Sequence, residues 1–193
     1  SMANGEKLWE YHTMPSAEYN GMVSATGVKQ RGPSGAPIWT TPTIDAKRGQ
    51  VIVTTGENTS HPTTGTSDAI IALDLETGEE KWVFQALEND MWNFACSANG
   101  PNCIILADTN SVDFDFGGPA ILVESDGREL LVAGQKSGDL WALDPETGAV
   151  VWNQRVGEGT ALGGNHWGIA TDFERAFMTI NDPGNILENG QAG

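Results

Sequence analysis

The strongest constraint on the fold is an internal repeat. Residues 72–82 read ALDLETGEEKW and residues 142–152 read ALDPETGAVVW, so one unit returns at an offset of 70 residues. A degenerate copy, NGEKLW, ends at Trp9, which lies 73 residues before Trp82. A repeat of this length indicates an architecture of similar supersecondary units stacked side by side.

Each copy predicts a β-hairpin. Alternating side chains before Asp74 predict a strand, and the segment from Asp74 to Gly78 predicts a tight turn with glycine at a positive φ. A second strand then returns and carries Trp82, which we expect to stack against the next unit.

Further strand and turn patterns complete two groups of four strands, at residues 36–85 and 117–156. We expect an orphan strand at residues 7–12 before them and half a group at residues 165–182 after them. No stretch has a helical period. The predicted fold is therefore all-β, a partial β-propeller whose four-stranded groups are its blades, forming a single partial domain over residues 1–193.

A partial propeller leaves sheet edges and apolar faces uncovered. We therefore expect either a fragment of a longer protein or an assembly that closes by association, and we favour the fragment. The polar, glycine-rich end at residues 185–193 abandons the strand pattern, as a truncation or a frayed end would.

Composition excludes several classes of function. A formal net charge of −16 with a pI near 4.3 argues against nucleic acid and against an anionic membrane surface as partners. No apolar run is long enough to span a membrane, and no secretory signal is present in the sequence. The sequence also has no CxxCH motif, which covalent attachment of haem would require.

The two cysteines, Cys96 and Cys103, lie seven residues apart with Gly100 and Pro101 between them. A turn there would allow a small-loop disulfide in an oxidising compartment, and two free thiols are the alternative.

The AxDxxTGxxxW unit, together with the segments GPSGAPIWTTPTIDAKRG, DFDFGGPAILV and ALGGNHWGIA, resembles the quinoprotein alcohol dehydrogenases, and among them the polyvinyl alcohol dehydrogenase group. The resemblance covers nearly the whole chain and implies two cofactors, pyrroloquinoline quinone (PQQ) and calcium. It also implies a periplasmic or secreted location. The family holds the quinone on the propeller axis, against a tryptophan ring and between polar groups from several blades.

Matched to the family's motifs, three residues of this chain are implied to contact the quinone. Trp39 falls at the stacking tryptophan, and a tryptophan that only packs blades together is the alternative. Lys136 matches the basic residue that contacts the quinone carbonyl oxygens, where a cation stabilises developing charge. His166 begins a further family signature and faces either the substrate pocket or the protein interior.

The implied metal ligands are oxygen donors, as calcium prefers. Counted along the family's motif, Glu57 falls at the position of the ligand, and Asn58 is the next residue. Asp113 is implied as catalytic base and ligand, with Asp115 as an additional ligand. The competing position is Asn93, whose carboxamide cannot accept a proton, so residues 94–112 are interpreted as an insertion.

These resemblances imply part of a calcium-assisted, PQQ-dependent dehydrogenase that oxidises secondary alcohols, including polyols or polymers. A separate cytochrome c would accept the electrons. Two alternatives remain open, namely a non-catalytic propeller scaffold for protein partners and a polymer-binding module without redox chemistry. The family's Glu ligand and its cysteine pair over the quinone have no match here, so we expect the isolated chain to be inactive.

Overall fold

Short strands joined by tight turns make up the part of the chain that the computed structural model describes, residues 1–96 and 100–181. No helix occurs within these residues. The strands are β1 (Glu18–Val23), β2 (Lys29–Gly32), β3 (Ser34–Gly35), β4 (Thr43–Asp45), β5 (Gln50–Thr54), β6 (Asn58–Ser60), β7 (Ala69–Asp74), β8 (Glu80–Gln85), β9 (Ile121–Ser125), β10 (Arg128–Gly134), β11 (Asp139–Leu143), β12 (Val150–Arg155), β13 (Ile169–Thr171) and β14 (Ala176–Met178).

Two of the sheets have four antiparallel strands. The first blade has the strand order β4-β5-β7-β8, and the second blade has the order β12-β11-β10-β9. The repeated motif occupies the same position in both, because Ala72 pairs with Trp82 and Ala142 pairs with Trp152. The predicted all-β fold of propeller type is confirmed.

Three two-stranded sheets accompany the blades: β1-β2, β3-β6 and β13-β14. The hairpin β1-β2 and the β3-β6 pair were not expected from the sequence. The pair β13-β14 lies within the range predicted as half a blade, and residues 182–193, including the polar end at 185–193, lie outside the described residues.

The orphan strand predicted at residues 7–12 is not a strand. Its side chains bind the first blade instead. The Trp9 indole N–H donates to the Leu75 carbonyl at 3.1 Å, and the Tyr11 hydroxyl donates to Glu80 at 2.8 Å. Both rings pack on the buried cluster that includes Val53. The strand prediction was wrong because it was based on the alternation of apolar side chains alone. In the structure, residues 7–12 do not form a strand, and their side chains provide the contacts with the blade.

The main core lies between the blades. Ile52 and Ile70 of the first blade pack with Leu131 and Leu143 of the second, and Phe116 from the linking segment is fully buried among them. Burial of this apolar surface is the largest favourable contribution to joining two sheets.

The repeated tryptophan packs across this joint. The ring of Trp82 covers Gly148 in the corresponding turn of the second blade, where an added Cβ would lie 2.5 Å from Trp82 Cε3. Trp9 covers Gly78 in the same way. The turn glycine therefore has two functions, since its φ is positive and its missing side chain admits the ring.

The free energy of unfolding of a Gly148→Ala variant is expected to be about 1–3 kcal/mol lower than that of a Gly127→Ala variant. Both glycines have nearly the same φ, 71° and 72°, but nothing lies within 4 Å of a Cβ at Gly127. The comparison isolates the tryptophan contact from backbone strain, and urea unfolding measures it. Equal losses in the two variants would contradict the docking role of Trp82.

Candidate functional site

Three acidic side chains and one lysine meet at one edge of the two blades. Glu57 follows β5, Asp113 and Asp115 precede β9, and Lys136 follows β10. One carboxylate oxygen of each acid lies within 4.8 Å of the others, and all three residues are buried. Because β9 and β10 are antiparallel, the start of β9 and the end of β10 fall on the same edge. We call these four residues the acidic cluster.

Lys136 is bound to two of the acids. Its Nζ lies 2.9 Å from Asp113 Oδ1 and 2.8 Å from Asp115 Oδ2. The Lys136 side chain is only 7% exposed, so this is a buried ion pair with charge-assisted hydrogen bonds. The backbone N–H of Lys136 also donates to the Asp115 carbonyl at 2.9 Å.

The chain turn at Gly56 and Glu57 is built for close approach to Asp115. The Glu57 N–H donates to Asp115 Oδ1 at 2.8 Å. An added Cβ at Gly56 would stand 2.6 Å from the same oxygen, so only glycine lets the carboxylate come this near.

The electrostatics of the acidic cluster favour an additional positive charge. Burial, followed by a hydrogen bond with Asp115 and the neighbouring negative charges, raises the pKa of Glu57 to about 9. Burial also raises the pKa of Asp113 to about 7, although Lys136 opposes the rise. The pKa of Asp115 is lowered: burial would raise it, but the hydrogen bond with Glu57 and the charge of Lys136 together prevail. Three carboxylates with one lysine thus retain a proton near neutral pH unless a cation neutralises them.

Aromatic side chains lie beside the acidic cluster. Lys136 Nζ is 5.7 Å from the centroid of the Trp39 ring, and Trp39 is 39% exposed. The rings of His166 and Trp167 lie 6.5 Å and 6.3 Å from that of Trp39. Burial and the nearby Lys136 charge lower the pKa of His166, which favours the neutral imidazole. The partly exposed Trp39 ring therefore has a cation and two further aromatic rings close to it.

The structure separates the two candidates at the turn after β5. Glu57 joins the acidic cluster, whereas Asn58 is part of a local turn in which its Oδ1 accepts the Thr64 N–H at 2.8 Å. The side-chain contacts of Asn93 are also local, with the Thr59 carbonyl and the Ala95 N–H.

Asp90 is a site residue that the sequence analysis missed. Its two carboxylate oxygens accept the N–H groups of Val112 at 3.1 Å and Phe114 at 3.0 Å, on either side of Asp113. Asp113 itself has a φ of 60°, a conformation that non-glycine residues rarely adopt. Asp90 therefore holds the backbone that directs Asp113 at Lys136. In the sequence only Asn93, three residues later, drew attention to this region, and the spacing from Asp90 to Asp113 gave no signal.

Replacing Asp90 by alanine is expected to reduce the free energy of unfolding by about 2–4 kcal/mol, because two partly buried N–H groups lose the acceptor that the fully buried Asp90 provides. Asp74→Ala is the matched control. Asp74 also accepts two backbone N–H groups, from Glu76 and Thr77, but in an exposed turn where water replaces them, so we expect a loss of about 1 kcal/mol. Urea denaturation would contradict the role of Asp90 if both variants lost the same amount.

Asp68 is a second missed acid. It is fully buried, and neither carboxylate oxygen has a hydrogen-bond partner among the described residues. Burial raises its pKa to about 10, and the charges of Asp90 and Asp115 add to the rise. Folded Asp68 therefore carries a proton at neutral pH, whereas the unfolded chain releases it.

Stability should depend on pH through Asp68. Its contribution is fully present below the unfolded pKa, near 3.8, and is lost as the pH rises toward the folded value of about 10. An Asp68→Asn variant lacks this proton, so its unfolding free energy relative to wild type should rise by up to about 1.4 kcal/mol per pH unit. Denaturation at several pH values measures this, with Asp126→Asn in an exposed turn as control. A constant difference between Asp68→Asn and wild type would refute it.

A disulfide joins Cys96 and Cys103, with 4.8 Å between the two Cα atoms. Of the two possibilities left by the sequence, the structure therefore has the bonded one. No helix among the described residues is long and apolar enough to cross a membrane.

A blade-built β fold with a buried lysine, three carboxylates and an exposed tryptophan at one edge describes a cofactor-binding propeller. Residues 1–114 match the family model described as "PQQ: Glucose/ethanol/alcohol dehydrogenase, beta-propeller domain". The chain belongs to this family of PQQ-dependent dehydrogenases.

Relatives agree with this assignment. Polyvinylalcohol dehydrogenase from a Pseudomonas species is 36% identical over 183 residues, which cover 93% of this chain and 28% of the relative. The enzyme of the same name from Sphingopyxis sp. strain 113P3 is 33% identical over 182 residues, with the same coverage. The chain thus spans little more than a quarter of the length of these relatives.

Among solved structures, the quinohemoprotein alcohol dehydrogenase of Comamonas testosteroni is similar over 77% of this chain and 20% of its own length. The sequence identity is 20% and the TM-score is 0.47.

Proposed function

We propose that this chain supplies the calcium-binding and proton-accepting edge of a PQQ-dependent dehydrogenase that oxidises secondary alcohols, including hydroxylated polymers. The observation that carries the proposal is the meeting of Trp39, Lys136 and the three acids at one edge of two blades. The name of the two relatives, polyvinylalcohol dehydrogenase, supports a polymeric secondary alcohol as the substrate class.

The donor set fits calcium. Glu57, Asp113 and Asp115 offer hard carboxylate oxygens within 4.8 Å of one another, and calcium takes several such ligands. The raised pKa values of Glu57 and Asp113 support this fit, because these acids lack enough positive charge for full ionisation. A divalent cation would displace the proton and ionise them. Asn58 is not proposed as a ligand, since its amide oxygen serves the local turn.

The surroundings of Trp39 fit a flat, anionic ring system. When bound, PQQ would accept the electrons removed from the alcohol. Trp39 would stack on one face of the ring, and Lys136 Nζ, 5.7 Å from the Trp39 centroid, would stabilise negative charge on a carbonyl oxygen at its edge. His166 lies near enough to the same ring to border the substrate.

Asp113 is the proposed proton acceptor. An ionised carboxylate can accept a proton from an alcohol, and a bound cation would keep Asp113 in this ionised form. Lys136 holds the Asp113 carboxylate in place at 2.9 Å, and Asp90 fixes the backbone on both sides of it. These contacts orient one oxygen of Asp113 and leave the other to receive the hydroxyl proton.

The remaining parts of the proposal come from the relatives and from the disulfide. Lupanine 17-hydroxylase, a relative 26% identical, is named with cytochrome c, which supports a separate cytochrome as electron acceptor. The Cys96–Cys103 disulfide supports an oxidising compartment such as the periplasm. The scaffold alternative does not account for a lysine and three carboxylates buried together.

The test compares Asp113→Asn with Asp126→Asn in the whole protein that contains this chain, supplied with PQQ and calcium. Asp126 is a matched control, because it also has a positive φ, 53°, but sits in the turn between β9 and β10. We expect Asp113→Asn to lower kcat for a secondary alcohol by about a hundredfold or more. It should also weaken calcium binding at least about tenfold in calorimetry, since it removes an anionic ligand.

Asp126→Asn should leave both quantities unchanged. Full turnover by Asp113→Asn, or calcium affinity equal in the two variants, would refute the proposed role of the acidic cluster.

A further inference from the structure

A concave site separate from the acidic cluster lies on the side of the hairpin β1-β2. A cavity of about 850 Å³ opens between the hairpin β1-β2, the chain after β6 and residues 106–109 of the disulfide-containing insertion. Its volume is within the range of ligand-binding pockets. None of the four residues of the acidic cluster lines it, and the sequence analysis attached no function to its walls.

The walls of this cavity combine apolar surface with hydrogen-bonding groups. Met22, Pro33 and Leu106 offer hydrocarbon surface, and Glu18 and Asp108 offer carboxylates. No lysine or arginine of the described part of the chain lines the cavity. Together with the net charge of −16, this composition disfavours an anionic ligand and suits a neutral molecule that alternates CH₂ groups with hydroxyl donors.

The carboxylates of Glu18 and Asp108 retain their capacity to accept hydrogen bonds. Neither takes part in a hydrogen bond or an ion pair anywhere in residues 1–96 and 100–181, and both residues are exposed at the cavity. Other polar groups of the wall are already used. Asn20 donates to Gln30 and to the His61 carbonyl, and Thr63 donates to Asn89 at 3.0 Å. Hydroxyl groups of a ligand could therefore donate hydrogen bonds to these two carboxylates. The hydrogen bonds of Asn20 and Thr63 hold the surrounding wall in place.

Two segments of chain connect the cavity wall with the acidic cluster. Strand β6 lies between Glu57 of the cluster and His61 of the cavity wall, a path of about 13 Å at the rise of a strand. Asn89 of the wall is next to Asp90, which holds the backbone around Asp113. A chain molecule with one carbinol at Asp113 would have to extend over about this distance to place further units in the cavity.

We propose that this cavity is a subsite for a polyol chain, in which Glu18 and Asp108 accept hydrogen bonds from hydroxyl groups flanking the unit that is oxidised. The inference rests on the proposed function for the identity of the substrate. It adds a binding site that would favour long hydroxylated chains over small alcohols.

Binding is tested on the metal-free and quinone-free 193-residue chain, which contains every residue that lines the cavity. The probe is a short vinyl alcohol oligomer. Its binding is measured by calorimetry and by saturation-transfer NMR. An ethylene glycol oligomer of matched length is the control ligand, because its ether oxygens cannot donate hydrogen bonds. We expect the vinyl alcohol oligomer to bind and the ether to bind at least about fivefold more weakly.

The variant Glu18→Gln/Asp108→Asn should weaken oligomer binding by about tenfold, since each charged acceptor becomes a neutral amide. Leu106→Trp should weaken it as well by filling the cavity. Glu124→Gln, at an exposed position of β9 outside the cavity, should bind as wild type does. Circular dichroism would verify that each variant is folded.

Absence of oligomer binding to the folded chain, or equal binding by the double variant and Glu124→Gln, would overturn the subsite. Asp113→Asn should bind the oligomer normally, because Asp113 does not line the cavity. A third outcome is oligomer binding by the 193-residue chain together with full alcohol oxidation by Asp113→Asn in the whole protein. This outcome would count against the proposed function and would leave the cavity as a polyol site.

Discussion

The packing of one four-stranded sheet against the next is the contact on which the rest of the structure depends. Ile52 and Ile70 meet Leu131 across the joint, and Phe116 fills the space between the sheets. A hydrogen bond also crosses the joint, from the Thr54 hydroxyl to the Gly118 carbonyl at 3.0 Å. Because both sheets are antiparallel meanders with the repeated motif in the same register, this packing brings corresponding strand ends together. The loops beyond those ends then face one another.

Charge burial at that edge follows from the same packing, and it carries a cost in stability. The acidic cluster, Glu57, Asp113, Asp115 and Lys136, is removed from water. The free-energy cost of desolvating these charged groups can exceed the Coulombic energy gained from a single ion pair. A protein selected for stability alone would place apolar residues here. The proposed binding of a cation and a ring system would account for acids held partly protonated around one lysine. Asp90 supports this arrangement, because it forces Asp113 into a backbone conformation that the chain would not adopt unaided.

The sequence was informative where a pattern acts locally. The period of the repeat predicted the blades, and Asp74 and Asp144 bond their turns in the same way, each to the N–H groups two and three residues later. Local patterns failed where the partner was distant. The alternation around Trp9 was interpreted as a strand, yet the ring packs on a turn some seventy residues away in sequence. Trp167 was passed over in favour of His166, although its ring lies equally close to Trp39.

The amino-acid sequence by itself determined the strand and turn pattern, the propeller class and the residue types available for a cofactor, because alternation, turn chemistry and short motifs are properties of neighbouring residues. Only the tertiary structure brought Glu57, and not Asn58, together with Asp113 and Asp115, paired Lys136 with both of these acids, and joined the cysteines. It also showed that Asp90 bonds the backbone on either side of Asp113 and that Asp68 is fully buried. The physical reason is that burial and proximity set the protonation and orientation of a carboxyl group, and both arise only when segments far apart in the chain pack together.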